Sequence, residues 1–120
     1  MKIILVADDQ AEARELIRTV LTHCGYEVVE AVDGEDALLK AAAAQPDLIM
    51  LDIHMPGPDG FAVCDALRGM PGFASIPIVA MTAGLMNGER EKALESGFSE
   101  FLAKPIRIVV LRETIAALFA

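Results

Sequence analysis

The sequence contains no tryptophan, a single tyrosine and only two cysteines in 120 residues. Cys24 and Cys64 lie far apart, each inside an apolar helical pattern, so they read as reduced, buried thiols rather than as a disulfide or a metal site. Long hydrophobic runs are missing as well. The longest, such as residues 3–7, are strand-length, against the roughly 18–20 residues of a membrane span. The opening Met1-Lys2-Ile3-Ile4-Leu5-Val6 runs into Ala7-Asp8-Asp9, too short an apolar region for a secretion signal and closed by acid instead of a small-residue cleavage site. A cytoplasmic location is expected. Positive charge is scarce: 10 Lys and Arg against 18 Asp and Glu leave a net charge of −8. That balance disfavours a nucleic-acid backbone or an anionic membrane as direct partner, and favours cations and basic protein surfaces.

What the sequence does have is apolar content, 54% of the chain, with 23% charged residues. This is too hydrophobic for disorder and long enough for one self-sufficient core, so a single domain over residues 1–120 is expected. Short apolar runs alternate with helical patterns five times. The strands are placed at 3–7, 27–30, 48–51, 76–81 (with Pro77 near its start) and 101–103. Helical spacing recurs at Ala13, Leu16, Ile17, Val20, Leu21 and Cys24, closed by Gly25; at Ala37, Leu38 and Ala41, closed before Gln45-Pro46; and at Phe61, Cys64 and Leu67. A fourth helix is placed at about 86–96 with Gly97 as its stop, and Ile108, Leu111, Ile115 and Leu118 form an amphipathic fifth. The order predicts an α/β fold, a (βα)5 doubly wound parallel sheet of flavodoxin-like strand order 2-1-3-4-5. No room is left for a second domain.

In such a sheet, function collects outside the carboxyl ends of the strands, at the point where strand order reverses. Asp8-Asp9 after the first strand and Asp52 after the third meet there. Two carboxylates about 5 Å apart repel by roughly 3 kcal/mol at an effective dielectric near 20, so the cluster calls for a cation. Oxygen-only ligands suit Mg²⁺, which commonly binds beside phosphate. Thr82 follows the fourth strand and Lys104 the fifth, adding a hydroxyl donor and an ammonium to the same edge. Phosphoryl transfer is the chemistry these groups serve. Pro105 fixes the chain after Lys104, and a cis bond is plausible there. Taken singly, Asp8-Asp9 also reads as a helix cap, Asp52 as a turn residue, Thr82 as a cap, Lys104 as a solvated charge and Phe101 as a core aromatic.

Four segments in order, Val6-Ala7-Asp8-Asp9, Leu51-Asp52-Ile53-His54-Met55-Pro56 continuing to Asp59-Gly60, Met81-Thr82-Ala83, and Phe101-Leu102-Ala103-Lys104-Pro105-Ile106, resemble the receiver domain of two-component response regulators over essentially the whole chain. The resemblance implies that Asp52 is the phosphoacceptor. It further implies that Asp9, Asp52 and the backbone carbonyl of His54 ligate Mg²⁺, and that Asp8 does so through water. Thr82 and Lys104 would contact the phosphoryl group, and Thr82 and Phe101 would form the switch that reshapes the face of the fourth helix, fifth strand and fifth helix. The donor implied is a sensor histidine kinase or a histidine phosphotransfer protein, the reader a downstream protein effector, and the state a monomer or a phosphorylation-dependent dimer. Such a domain is not an enzyme beyond its own phosphotransfer and dephosphorylation. Two positions depart from the common pattern: Pro58, which stiffens the approach to Asp59-Gly60, and Gly84, which opens the phosphoryl group to water. The His54 side chain is expected at the rim of the site, tuning acyl-phosphate hydrolysis.

Three other readings compete. The same domain fits a receiver portion of a hybrid kinase or of a DNA-binding response regulator. A metal-dependent phosphatase with an Asp nucleophile would carry a second acid two residues on, where this chain has His54. A flavin carrier needs a phosphate-cradling loop after the first strand and aromatic flanks, and Asp8-Asp9 with only Tyr26 as tyrosine supplies neither.

Overall fold

A computed structural model describes residues 1–83 and 88–120. The five strands are β1 (Ile3–Ala7), β2 (Glu27–Ala31), β3 (Leu48–Asp52), β4 (Ile78–Thr82) and β5 (Glu100–Ala103). Between and after them lie α1 (Ala11–His23), α2 (Gly34–Ala44), α3 (Gly60–Arg68), α4 (Glu89–Glu95) and α5 (Ile108–Phe119). The sheet is parallel in the order β2-β1-β3-β4-β5, as the alternation of runs predicts.

Period-two alternation sorts each central strand between two cores. Leu5, Ala7, Ile49, Leu51, Ile78 and Ala80 point to the side covered by α2, α3 and α4, where Ala37, Ala41, Val63, Cys64, Leu67 and Ala93 meet them. Ile4, Val6, Leu48, Met50, Val79 and Met81 point to the other side, under Ile17, Val20 and Leu21 of α1 and Leu111 and Ile115 of α5. Burial on both faces is why β1, β3 and β4 are continuously apolar in sequence.

Turn chemistry sets the element ends. Gly25 at φ 91° leads out of α1, and Gly97 at φ 104° leads out of α4. Asp33 and Asp59 cap α2 and α3, their carboxylates accepting from Asp36 N–H and Ala62 N–H. Gly60 starts α3 against the third strand's exit. A Cβ there would stand 2.6 Å from Ile53 Cα and 2.9 Å from the Asp52 carbonyl oxygen, so only glycine lets the loop close. Pro58 packs over the start of α2, its Cγ 2.8 Å from where a Cβ on Gly34 would be.

Three expectations change, and a fourth falls outside the described residues. β4 begins at Ile78, with Pro77 outside it; the Pro77 carbonyl accepts from Ile49 N–H, and the missing proline N–H makes it a natural strand boundary. Cys24 is exposed, because it is the C-cap of α1 where the chain turns away from the core, while Cys64 is buried and burial pushes its thiol up. Leu16 and Ile108 are also exposed, at 40% and 49%, so the helical stripe is narrower than the spacing suggests. Finally, the described part of α4 starts at Glu89. The expected start near Met86, and Gly84, lie outside the described residues.

Candidate functional site

Strand register brings the site residues to one level. Ala7 pairs with Leu51, Asp52 with Met81 and Thr82 with Ala103, so the residues that follow emerge side by side. The backbone continues the ladder past the strands: Asp8 N–H donates to the Ala31 carbonyl, Ile53 N–H to Met81 and Lys104 N–H to Thr82. These bonds fix the roots of the side chains that matter.

Asp8 and Asp52 are buried, at 0% and 5% exposure, and Asp9 is exposed beside them. Ligand oxygens of the three lie within 4.8 Å of one another. Each buried carboxylate is used the same way. One oxygen takes a backbone donor, Gln10 N–H at 2.9 Å for Asp8 and His54 N–H at 2.9 Å for Asp52. The other takes the Lys104 ammonium, at 2.6 Å and 3.0 Å respectively. Arg14 braces the same loop from α1, donating to the Asp8 carbonyl while also reaching Glu30.

Burial pushes the Asp52 carboxyl above its usual value, against the His54 N–H and the Lys104 charge that favour ionisation. Burial would pull Lys104 down, but hydrogen bonds and charge from Asp8 and Asp52 together raise it. The two directions agree physically: one cation is shared by two carboxylates, so Lys104 gains from both while Asp52 has only part of its charge. A second cation therefore has a place here. Three carboxylates, with no sulfur or imidazole grouped with them among the described residues, fit a hard, oxygen-seeking ion such as Mg²⁺.

Thr82 is fully buried as the last residue of β4. Phe101 sits on β5 opposite Ala80, 6% exposed, with its ring inside the core. The Lys104-Pro105 bond is cis. The His54 side chain is 62% exposed at the rim, its Nε2 3.6 Å from Glu89 Oε2. Sequence reasoning did not reach Glu89 or Arg14. Arg14 follows the acidic pair at helical spacing and could have been found; nothing in the local pattern marks Glu89 as buried. Beyond Lys104, a groove of about 620 Å³ runs between α1 and the loop after β5, lined by Gln10, Ala13, Leu16, Pro105 and Ile106.

A model of the response regulator receiver domain matches residues 4–116. The response regulator PleD of Caulobacter vibrioides is 46% identical over 115 residues, which span 96% of this chain and 25% of that protein. The sensor protein EvgS of Escherichia coli is 39% identical over 115 residues, 96% of this chain and 9% of that one. The chain thus spans well under half the length of these curated relatives. Among solved structures, the chemotaxis response regulator CheY4 of Vibrio cholerae has a TM-score of 0.92 at 30% identity, covering 98% of both chains. The BeF3-activated N-terminal receiver domain of Klebsiella pneumoniae RstA has a TM-score of 0.89 at 31% identity, covering 97% of both.

Proposed function

Because this chain belongs to the response regulator receiver domains of two-component signalling, we propose that Asp52 accepts a phosphoryl group from a phosphohistidine on a partner protein. The observation that carries this is the shared ammonium of Lys104, held 3.0 Å from Asp52 Oδ2 and 2.6 Å from Asp8 Oδ2. A group so placed follows negative charge as it moves onto a phosphoryl oxygen.

In the proposed step, an Asp52 carboxylate oxygen attacks phosphorus in line. The O–P bond forms as the N–P bond breaks, and the electron pair returns to the donor imidazole. Asp9 and Asp52, with the His54 carbonyl, would hold a Mg²⁺ ion, and Asp8 would act on it through water. When bound, such an ion would supply positive charge to offset that of the phosphoryl oxygens. His54 N–H keeps Asp52 oriented, Lys104 moves from the carboxylate to the phosphoryl group, and Thr82 donates its hydroxyl. The exposed apolar wall of the α1 groove receives the donor protein, a sensor histidine kinase or a histidine phosphotransfer protein.

The phosphoryl group adds about −1.5 to −2 charge and three acceptor oxygens. Drawing Thr82 toward it changes the support behind Phe101, whose ring already lies inside. The switch is therefore a shift in how firmly the inward ring and the α4-β5-α5 face are held, read by a protein effector. Matches to 9% of EvgS and 45% of the transcriptional regulatory protein ResD of Bacillus subtilis support a second reading, a receiver portion of a hybrid kinase or of a DNA-binding regulator.

Intact mass after incubation with acetyl phosphate and Mg²⁺ tests the reading. One added phosphoryl group, absent in Asp52→Asn and after chelation by EDTA, is expected. No gain from acetyl phosphate or from a phosphorylated histidine-containing protein overturns it.

A further inference from the structure

Glu89 opens α4, yet its side chain is only 10% exposed. Its Oε1 is sealed from solvent and accepts no hydrogen bond, alone in this among buried side-chain polar atoms of the described residues. Its Oε2 stands 3.6 Å from His54 Nε2, beyond hydrogen-bond reach. Oε1 of this nine-tenths buried side chain is thus without a donor, and Oε2 has only the distant imidazole beside it. Burial strips water from such a group, so leaving it unpaired is costly, and an incoming donor would recover that cost.

The carboxylate belongs to the wall of a groove of about 380 Å³ between His54 and Asp59 of the β3–α3 loop, Phe61 of α3, and Gly88, Glu89 and Lys92. The other charged groups there are already engaged. Asp59 Oδ1 caps α3 through Ala62 N–H at 2.9 Å. The Lys92 ammonium lies over the Phe61 ring, 4.5 Å from its centroid, rather than on Glu89. What is left is a carboxylate with one oxygen lacking a donor, in a groove that also has an aromatic wall. A guanidinium, which donates to a carboxylate and lays its flat face on an aromatic ring, suits that pair of walls better than a compact ammonium. Among the described residues Glu89 belongs to no cluster of three metal-ligating side chains, so the groove is a poor cage for a metal ion.

We propose that this groove is a docking pocket for an arginine side chain of a protein partner, with Glu89 as the recognising carboxylate. The net charge of −8 favours a partner that presents basic side chains. His54 N–H is bonded to Asp52, so an arginine seated here lies next to the loop that carries the acidic crevice. The pocket goes beyond the phosphoacceptor reading and does not require it.

The test uses ¹⁵N-labelled protein without any phosphoryl donor, titrated in Mg²⁺ buffer with N-acetyl-arginine amide or with its neutral isostere, N-acetyl-citrulline amide. Saturable shifts of the Gly88, Glu89 and His54 amides are expected with the arginine probe and not with the citrulline probe. Loss of the charged acceptor should weaken binding at least about tenfold in Glu89→Gln, with Glu89→Leu as a second variant of similar bulk. Equal binding by both variants, equal binding of the citrulline probe, or shifts centred on Asp8 and Asp9 overturns the proposal.

Discussion

The Lys104 ammonium and the Asp52 carboxylate, 52 positions apart in the chain, meet at 3.0 Å in the described structure. Asp8 shares the same ammonium at 2.6 Å, so Asp52 does not have that charge to itself. Burial first, opposed by the His54 N–H and by Lys104, leaves the Asp52 carboxyl above its usual 3.8. An acid that holds its proton more tightly in the folded state than in the unfolded state opposes folding once ionised. Stability is therefore lost as pH rises from about 3.8 through the raised folded value, and the deficit persists at neutral pH. Asp52→Asn should melt higher than the parent at pH 7 in metal-free buffer, by about 1 kcal/mol or a few degrees. The gain should shrink as pH falls through the raised folded value and be gone below about 3.8. Lys104→Met should do the reverse, costing about 3 kcal/mol by leaving two buried carboxylates face to face. Thermal melts of the three proteins decide it, and an Asp52→Asn protein no more stable than the parent would count against the account.

The start of α2 carries the opposite sign. Asp36 accepts from Val32 N–H at 3.0 Å and pairs with Lys40 at 3.1 Å. The Val32 N–H, then Lys40, outweigh partial burial and hold this carboxyl below its usual 3.8. A lowered acid contributes stability above about 3.8 and loses it as pH falls through the lowered folded value. Asp36→Asn should lower stability by about 0.5 kcal/mol at pH 7, since the charge is partly solvated and near a helix N-terminus. The gap between the two proteins should close in acid. Urea midpoints measured at neutral and low pH check both halves of that statement.

Arg68 is the strongest structural prediction. From the end of α3 its guanidinium donates to the carbonyls of Gly97, Phe73 and Ile76, at 2.7–3.1 Å, tying the loop before β4 to the turn before β5. A charged donor leaving three carbonyls unpaired should cost about 3 kcal/mol in Arg68→Ala. Lysine cannot reproduce the fork, so Arg68→Lys should recover less than half of it. A drop in urea midpoint with unchanged m-value is the expected record; full recovery by lysine would reduce Arg68 to a point charge.

Legibility in the sequence followed the range of the interaction. The strands were visible because burial on both faces demands continuous apolar runs, as in Leu48–Asp52. The helix stops at Gly25 and Gly97 were visible because a positive φ needs glycine. Cys24 was misjudged since helical spacing says which face a residue shares, not whether the helix end still lies over the core. Arg68 and Glu89 went unseen for a related reason: each differs from a solvated charge only through partners or neighbours brought by other elements.

By itself, then, the amino-acid order determined the alternation of elements, the parallel sheet, and the placing of Asp8, Asp9, Asp52, Thr82 and Lys104 at strand ends. Those are consequences of local periodicity and of a sheet's own geometry. Tertiary packing alone decided that one lysine serves two buried acids, that Phe101 lies inside, and that Glu89 Oε1 is buried without a donor. Each depends on distances across segments remote in sequence, and no local pattern encodes them.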